Sequence, residues 1–143
     1  TRYPLVTGVQ TCALPIYSLG AGSSCSADGA RCTMQDKITG LSWSKLQSSG
    51  QPWNTAWATC AGSSYNGQTG WRLPTQKELM EAYTHGIRSA ASINWMTEAN
   101  MFNWFWSGSS RSDATYYAWN VSLAYGLTYY VDKATPSPVV CVR

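Results

Sequence analysis

The chain has 143 residues, a formal net charge of +3 and only 12% charged side chains, a length that suits one domain with a proper core and is short for two. The small charge, without any Lys/Arg run, argues against nucleic acid as a partner, and no apolar stretch approaches the roughly 18 residues that would cross a bilayer, so no direct membrane insertion is expected. Eight Trp and nine Tyr stand against two Phe; such rings bury much area but want partners for their N–H and O–H groups, so the core should be aromatic and partly hydrogen-bonded.

Abundant Ser, Thr, Asn and Gly with few charges reads as the surface of a secreted, cell-surface or periplasmic protein. The N-terminus lacks the basic-then-apolar layout of a signal peptide, so an export signal is expected upstream. Residues 1–17 differ from the rest. Leu5-Val6-Thr7-Gly8-Val9-Gln10-Thr11-Cys12-Ala13-Leu14-Pro15-Ile16 closely resembles a translated sequencing-adapter fragment that recurs in assembled metagenomic reading frames. Residues 1–17 are therefore set apart as a non-native extension and 18–143 read as a single domain, the alternative being an edge strand over residues 4–9. Without Cys12 the cysteines become even in number: Cys25, Cys32, Cys60 and Cys141.

Four cysteines permit three pairings, and sequence alone does not choose. The short loop from Cys25 to Cys32, with Asp28-Gly29 as a turn, favours a local bridge. Cys60 would then pair with Cys141, closing a long loop worth about 2–5 kcal/mol. Zinc is the rival use, but there is no CxxC and no His at ligand spacing.

Asp36-Lys37-Ile38-Thr39-Gly40-Leu41-Ser42-Trp43 reads as a turn followed by a half-buried strand with Leu41 and Trp43 on one side. Ser48-Ser49-Gly50-Gln51 reads as a loop, after which Pro52 suits the first turn of a helix. Its Trp53, Ala56, Trp57 and Cys60 share a face.

A second loop leads to the densest signal in the chain, Gly70-Trp71-Arg72-Leu73-Pro74-Thr75-Gln76-Lys77-Glu78-Leu79. Pro74 excludes Leu73 from helical geometry, and Thr75 three residues before Glu78 forms a capping box, so a helix should begin at Gln76. Pro74 and Leu79 stand where a hydrophobic staple would close. Arg72, between Trp71 and Leu73, should pair across the fold with a carboxylate or with carbonyls. The helix should run to about Thr84 and stop at Gly86, with His85 supporting the last carbonyls.

From Ile93 onward helical spacing is lost. Residues 103–107 read as a strand, 108–113 as a loop, 116–123 as a strand, and 127–131 as its hairpin partner after a turn at Ala124-Tyr125-Gly126. Pro136 and Pro138 hold the chain extended before Val139-Val140-Cys141-Val142-Arg143, the expected closing strand of the same sheet. Helices first and an antiparallel sheet afterwards is an α+β plan.

The blocks together, Asp36…Thr39-Gly40-Leu41…Trp43, Trp53…Ala56…Cys60, Gly70-Trp71-Arg72-Leu73-Pro74-Thr75…Glu78-Leu79, Phe105-Trp106-Ser107, Tyr117-Ala118-Trp119 and Val140-Cys141-Val142-Arg143, resemble the Lcl C-terminal domain family, named for the C-terminal domain of collagen-like bacterial adhesins. The likeness spans about residues 33–143. It implies the formylglycine-generating-enzyme-like branch of the C-type lectin fold, two helices flanking a twisted antiparallel sheet, with a Cys60–Cys141 bridge. It also implies secretion and roles in adhesion, sugar or glycosaminoglycan binding, or display on pili and phage.

Chemistry is thin. A calcium-dependent lectin needs a Glu-Pro-Asn or Gln-Pro-Asp loop, whereas Gln51-Pro52 is followed by Trp53 and Trp119-Asn120 by Val121. Asp28, Asp36, Asp113 and Asp132 are scattered. Cys60 and Cys141 read as structural thiols, and the single His85 has no nucleophile or carboxylate pair beside it, since Glu78 is committed to its cap. No catalytic residue, metal or cofactor is expected. What remains is a surface. Alternation in the hairpin sends Trp104, Trp106 and Trp119 inward and Arg111, Asp113, Tyr116, Asn120, Tyr125, Tyr129 and Asp132 outward, a set with the rigid rings and adaptable polar groups of a recognition surface. Arg111 would serve acidic groups. The expected partner is a carbohydrate or a cell-surface protein, with an upstream stalk as a route to a homo-oligomer. Two further readings stand beside this: a structural pilus or fibre-tip subunit, and a variable protein of a diversity-generating retroelement. The Asn/Tyr/Ser/Asp/Thr/Ala bias of residues 110–132 fits the latter, because one kind of codon reaches all six by changes at adenine.

Overall fold

Gly, Pro and Ser interrupt the chain often, and its strands stay short. The computed structural model describes residues 15–25 and 29–143. In chain order it forms strands β1 (Tyr17–Leu19), β2 (Thr33–Asp36), β3 (Ser42–Ser44) and β4 (Ser48–Gln51), then helices α1 (Trp53–Ala61), α2 (Gln76–Thr84) and α3 (Glu98–Met101). Strands β5 (Trp104–Ser110), β6 (Tyr117–Ser122), β7 (Thr128–Asp132) and β8 (Ser137–Val139) follow. The strands make three antiparallel sheets, β1-β2-β3, β4-β8 and β5-β6-β7, so the class is mixed α+β. Residues 1–14, with the alternative edge strand and Cys12, lie outside the described residues, as does Asp28 of the expected turn. Tyr17, the last residue of the stretch set apart, packs in the core and its hydroxyl donates to the Ala82 carbonyl at 3.0 Å.

Helix α2 begins where its cap dictates. The Glu78 amide donates to the Thr75 hydroxyl at 3.1 Å and the Thr75 amide to the Glu78 carboxylate at 2.8 Å, closing the box. Arg72 finds its carboxylate locally instead of across the fold: its guanidinium donates to both Glu78 oxygens at 2.8 and 2.7 Å. Six residues suffice because Pro74 turns the chain back over the helix start. Burial would push the Glu78 carboxyl up, but the Arg72 and Thr75 donors outweigh it and hold it below its usual range. At the other end Gly86 takes φ +77°, the left-handed stop that a glycine adopts without Cβ strain. His85 does not support carbonyls with its ring; Nδ1 hydrogen-bonds the buried Asp36 carboxylate at 3.0 Å, tying α2 to the β2–β3 turn. Asp36 also accepts from the Ile38 and Thr39 amides, so it is a buried anchor of this turn.

The core has two parts. One gathers Trp43, Trp95, Leu79, Ile87, Phe105 and Val121; the other gathers Ala56, Trp71, Leu73, Trp106, Val139 and the Cys60–Cys141 bridge. Cys25 pairs with Cys32. The indole N–H groups of Trp53, Trp71, Trp95 and Trp106 each donate to a backbone carbonyl at 2.6–3.0 Å, while those of Trp43 and Trp57 have no partner among the described residues.

Three expectations change. The chain end does not close the hairpin's sheet: β8 pairs with β4, the stretch read as a loop, and Val142 bridges Trp43 and Arg72. Pro138 has no N–H to give, which confines its strand to a short edge ladder. Strand β5 continues through residues read as loop to Ser110, with its register shifting between Trp106 and Ser110. Helical geometry also persists past Ile93: after a 3-10 segment over Ile87–Ile93 comes α3, capped by Thr97.

Candidate binding surface

Register sorts the hairpin's side chains. Antiparallel pairing sets Trp119 opposite Tyr130, Tyr117 opposite Asp132 and Asn120 opposite Tyr129, and neighbours in a strand point to opposite faces. Tyr117, Trp119 and Tyr130 therefore share one face; Asn120, Tyr129 and Trp106 share the other.

The first face is an aromatic platform. Tyr130 lies 5.2 Å from Tyr117 and 5.8 Å from Trp119 by ring centroids, both edge-on, and Tyr116 leans on Tyr117 at 4.4 Å. The Arg111 guanidinium lies over Tyr130, 4.1 Å from the ring centre, and its Nε and Nη2 donate to the two Asp113 oxygens at 2.6 and 2.9 Å. Those hydrogen bonds raise the Arg111 pKa and hold the Asp113 carboxyl below its ordinary value. The charge of Arg111 is thus answered within the chain by Asp113. Its planar guanidinium adds to the aromatic area of the platform. Tyr117 titrates higher than an ordinary tyrosine, first because of Tyr116 beside it. The Gln76 side chain donates to the Thr128 hydroxyl at 2.7 Å and the Gln76 amide to Ser109 Oγ at 3.1 Å, so the start of α2 braces both outer strands of the sheet.

The residues expected at the surface divide. Arg111, Asp113 and Tyr116 come together on the platform. Tyr129 is exposed and stacks on Tyr130 at 5.1 Å, joining the platform to Trp104 around the open edge of β7. Tyr125 is exposed too, but it packs on Phe102 at the hairpin's far end, the length of β6 away. Asp132 is occupied in its own turn, accepting from the Ala134 amide at 2.8 Å. Asn120 is a correction. It is 1% exposed, because the face it points to is covered by the β4–β8 pair, and its Nδ2 donates to the Trp104 carbonyl and to Ser137 Oγ. The three indoles read as inward divide as well: Trp106 is buried, Trp119 is half-buried on the platform and Trp104 is 38% exposed. Sequence reasoning missed Tyr117, Trp119 and Tyr130; the two-residue period that puts Tyr117 and Trp119 on one face was the signal available for them.

A family model for the Lcl C-terminal domain matches residues 32–143. The chain belongs to the Lcl C-terminal domain family. The Lcl C-terminal domain thus runs from Cys32 to the last residue and includes the whole platform and the Cys60–Cys141 bridge. No curated protein matches the chain. Two disulfides and membership of this family are compatible with an extracellular, adhesin-like domain, and among the described residues no helix is long and apolar enough to cross a membrane.

Proposed function

We propose that this Lcl C-terminal domain is a non-catalytic adhesion module that works in the secreted, cell-surface or periplasmic space and binds carbohydrate through its aromatic hairpin. The observation that carries the reading is the ladder Tyr116-Tyr117-Tyr130-Trp119, with Arg111 pinned over its centre. Rings locked against one another present apolar area at little entropic cost, and the C–H faces of sugars pack on such area. We further propose the C-type-lectin-like arrangement for the fold, on the strength of the family. Single-site affinity on an open platform is modest, so adhesion would come from several copies carried on a stalk.

The test is a glycan array probed with the wild-type chain and with Tyr117→Ala and Tyr116→Ala variants. The reading requires a bound glycan and a loss of about tenfold in Tyr117→Ala, the ring that joins its neighbours, with a smaller loss in Tyr116→Ala. Binding left intact in both would remove the platform from the account. The composition of residues 110–132 favours a second reading, a variable display protein of a diversity-generating retroelement. Buried Ala118, Asn120 and Ser122 would have to be fixed in it while Tyr116 and Tyr129 vary. A near-copy of the 3′ coding end, differing at adenines, is what the surrounding DNA must contain for that reading to stand.

A further inference from the structure

On the hairpin face opposite the platform, a groove of about 330 Å³ lies between the hairpin and the β4–β8 pair. Trp104 and Tyr129, edge-on at 6.4 Å, form one wall, and Pro136 and Pro138 contribute to the other. Asn120 and Ser137, both buried, form its floor. Among the described residues, no Asp, Glu, Lys or Arg lines it.

The floor holds an unanswered polar group. Asn120 Nδ2 is committed twice, to the Trp104 carbonyl at 3.2 Å and to Ser137 Oγ at 2.9 Å, which fixes the orientation of the amide. Its Oδ1 is closed to solvent and has no hydrogen-bond partner among the described residues. A carbonyl oxygen left in that state has lost its hydration without compensation, which a donor entering the groove would restore. Because Ser137 Oγ already accepts from Asn120, its own hydrogen can turn toward a ligand oxygen. Tyr129 stands opposite Asn120 in the β6–β7 register and is 57% exposed, so its ring can tilt as a donor approaches and still form the wall.

We propose that this groove is a subsite for one neutral monosaccharide residue, seated with its apolar face on Trp104 and Tyr129 and a hydroxyl directed at Asn120 Oδ1. The inference rests on the carbohydrate reading of the hairpin and adds a second contact to it. The chemistry of the lining selects the class. A uronate or sulfated sugar finds no cation, an ammonium finds no carboxylate, and a purely apolar ligand leaves Oδ1 unpaired. The volume lies at the small end of the range for ligand pockets, about 300–1,000 Å³, which suits a single ring. The stacked pair Tyr129-Tyr130 connects the groove to the platform, so one glycan chain can place its terminal residue in the groove and lay the next over the edge of β7.

Titration of the full chain with the methyl glycosides of glucose, galactose, mannose, N-acetylglucosamine and glucuronic acid tests this by ¹⁵N NMR. The indole N–H of Trp104 and the side-chain amide of Asn120 report on the groove; the indole N–H of Trp119 reports on the platform. At least one neutral glycoside should shift both groove signals saturably, with the glucuronide weaker by about tenfold. Trp104→Ala, followed at the Asn120 side-chain amide, and Tyr129→Ala, both at exposed side chains, should each weaken that shift by about tenfold. A deoxy glycoside lacking the directed hydroxyl should lose binding in the wild-type chain. Shifts confined to Trp119 would overturn the groove and leave the platform reading standing. Silence at both reporters, together with an unbound glycan array, would overturn both.

Discussion

Glu78 answers three donors with two oxygens, the guanidinium of Arg72 twice and the Thr75 amide, while its own amide closes the cap by donating to the Thr75 hydroxyl. Glu78→Gln keeps the shape, gives up the charge and puts N–H where an acceptor is needed, so it should cost about 1–2 kcal/mol in urea denaturation. Arg72→Met should cost less, under about 1 kcal/mol, because the arginine side chain is 40% exposed and water screens the pair while the cap survives. The same contacts set an acid limit. Asp36, with its His85, Ile38 and Thr39 donors outweighing burial, and Glu78 both have folded pKa values below the ordinary 3.8 and 4.5. Between the two states the unfolded chain then binds more protons, so stability is complete above about pH 5 and falls as acid drives the pH through the depressed values. Melting temperatures measured from pH 6 down to pH 3 should decline in wild type and decline less steeply in Asp36→Asn and Glu78→Gln, which start lower.

Within single elements, the turn between β6 and β7 shows how tightly this hairpin is held. Gly126 takes φ +65°, and a Cβ there would lie 2.2 Å from the Tyr83 ring of α2. Gly126→Ala therefore meets two penalties, a left-handed backbone worth about 1–2 kcal/mol and a ring that must move. Tyr83→Ala in the same background should restore only the second, and a thermal-melt cycle over the four chains separates them. Elements of this kind were legible in the sequence because their causes are local: the Thr75-Glu78 cap, the Gly86 stop and the Ala124-Tyr125-Gly126 turn each lie within four residues. The β4–β8 ladder was not, since it joins a Ser/Gly stretch to a Pro-bearing one across most of the chain, and neither carries an apolar alternation. The candidate site was half legible for a related reason. The two-residue period separates inside from outside only where one face of a sheet meets water, and β6 is covered on both faces over Asn120 and Val121. Asn120 thus went inward against expectation, while Trp119, read as facing the core, became the platform's end.

At the scale of the whole molecule, the last residues hold the rest together. β8 pairs with β4, Cys141 bonds Cys60, the Cys141 amide donates to Ser44 Oγ at 2.8 Å, and Val142 exchanges backbone hydrogen bonds with Arg72 at 2.9 and 2.8 Å. The chain end is thus threaded between the hairpin sheet, α1 and the start of α2, and the floor of the groove at Ser137 belongs to the same run. The two disulfides differ in what they constrain. Cys60 and Cys141 are 81 residues apart and Cys25 and Cys32 only 7. In the chain-entropy account that difference makes the long bridge worth about 4–5 kcal/mol and the short one about 2–3. Removing each pair by Ala substitution and comparing urea midpoints should therefore rank the Cys60/Cys141 variant about 2 kcal/mol below the Cys25/Cys32 variant. The loss should also reach the groove before the platform, because β8 supplies the floor of one and no ring of the other. A Cys60/Cys141 variant that stays folded but broadens the Trp104 indole signal, with Trp119 sharp, would show the bridge acting as the groove's brace. Equal broadening at both indoles would show that it supports the hairpin as a unit.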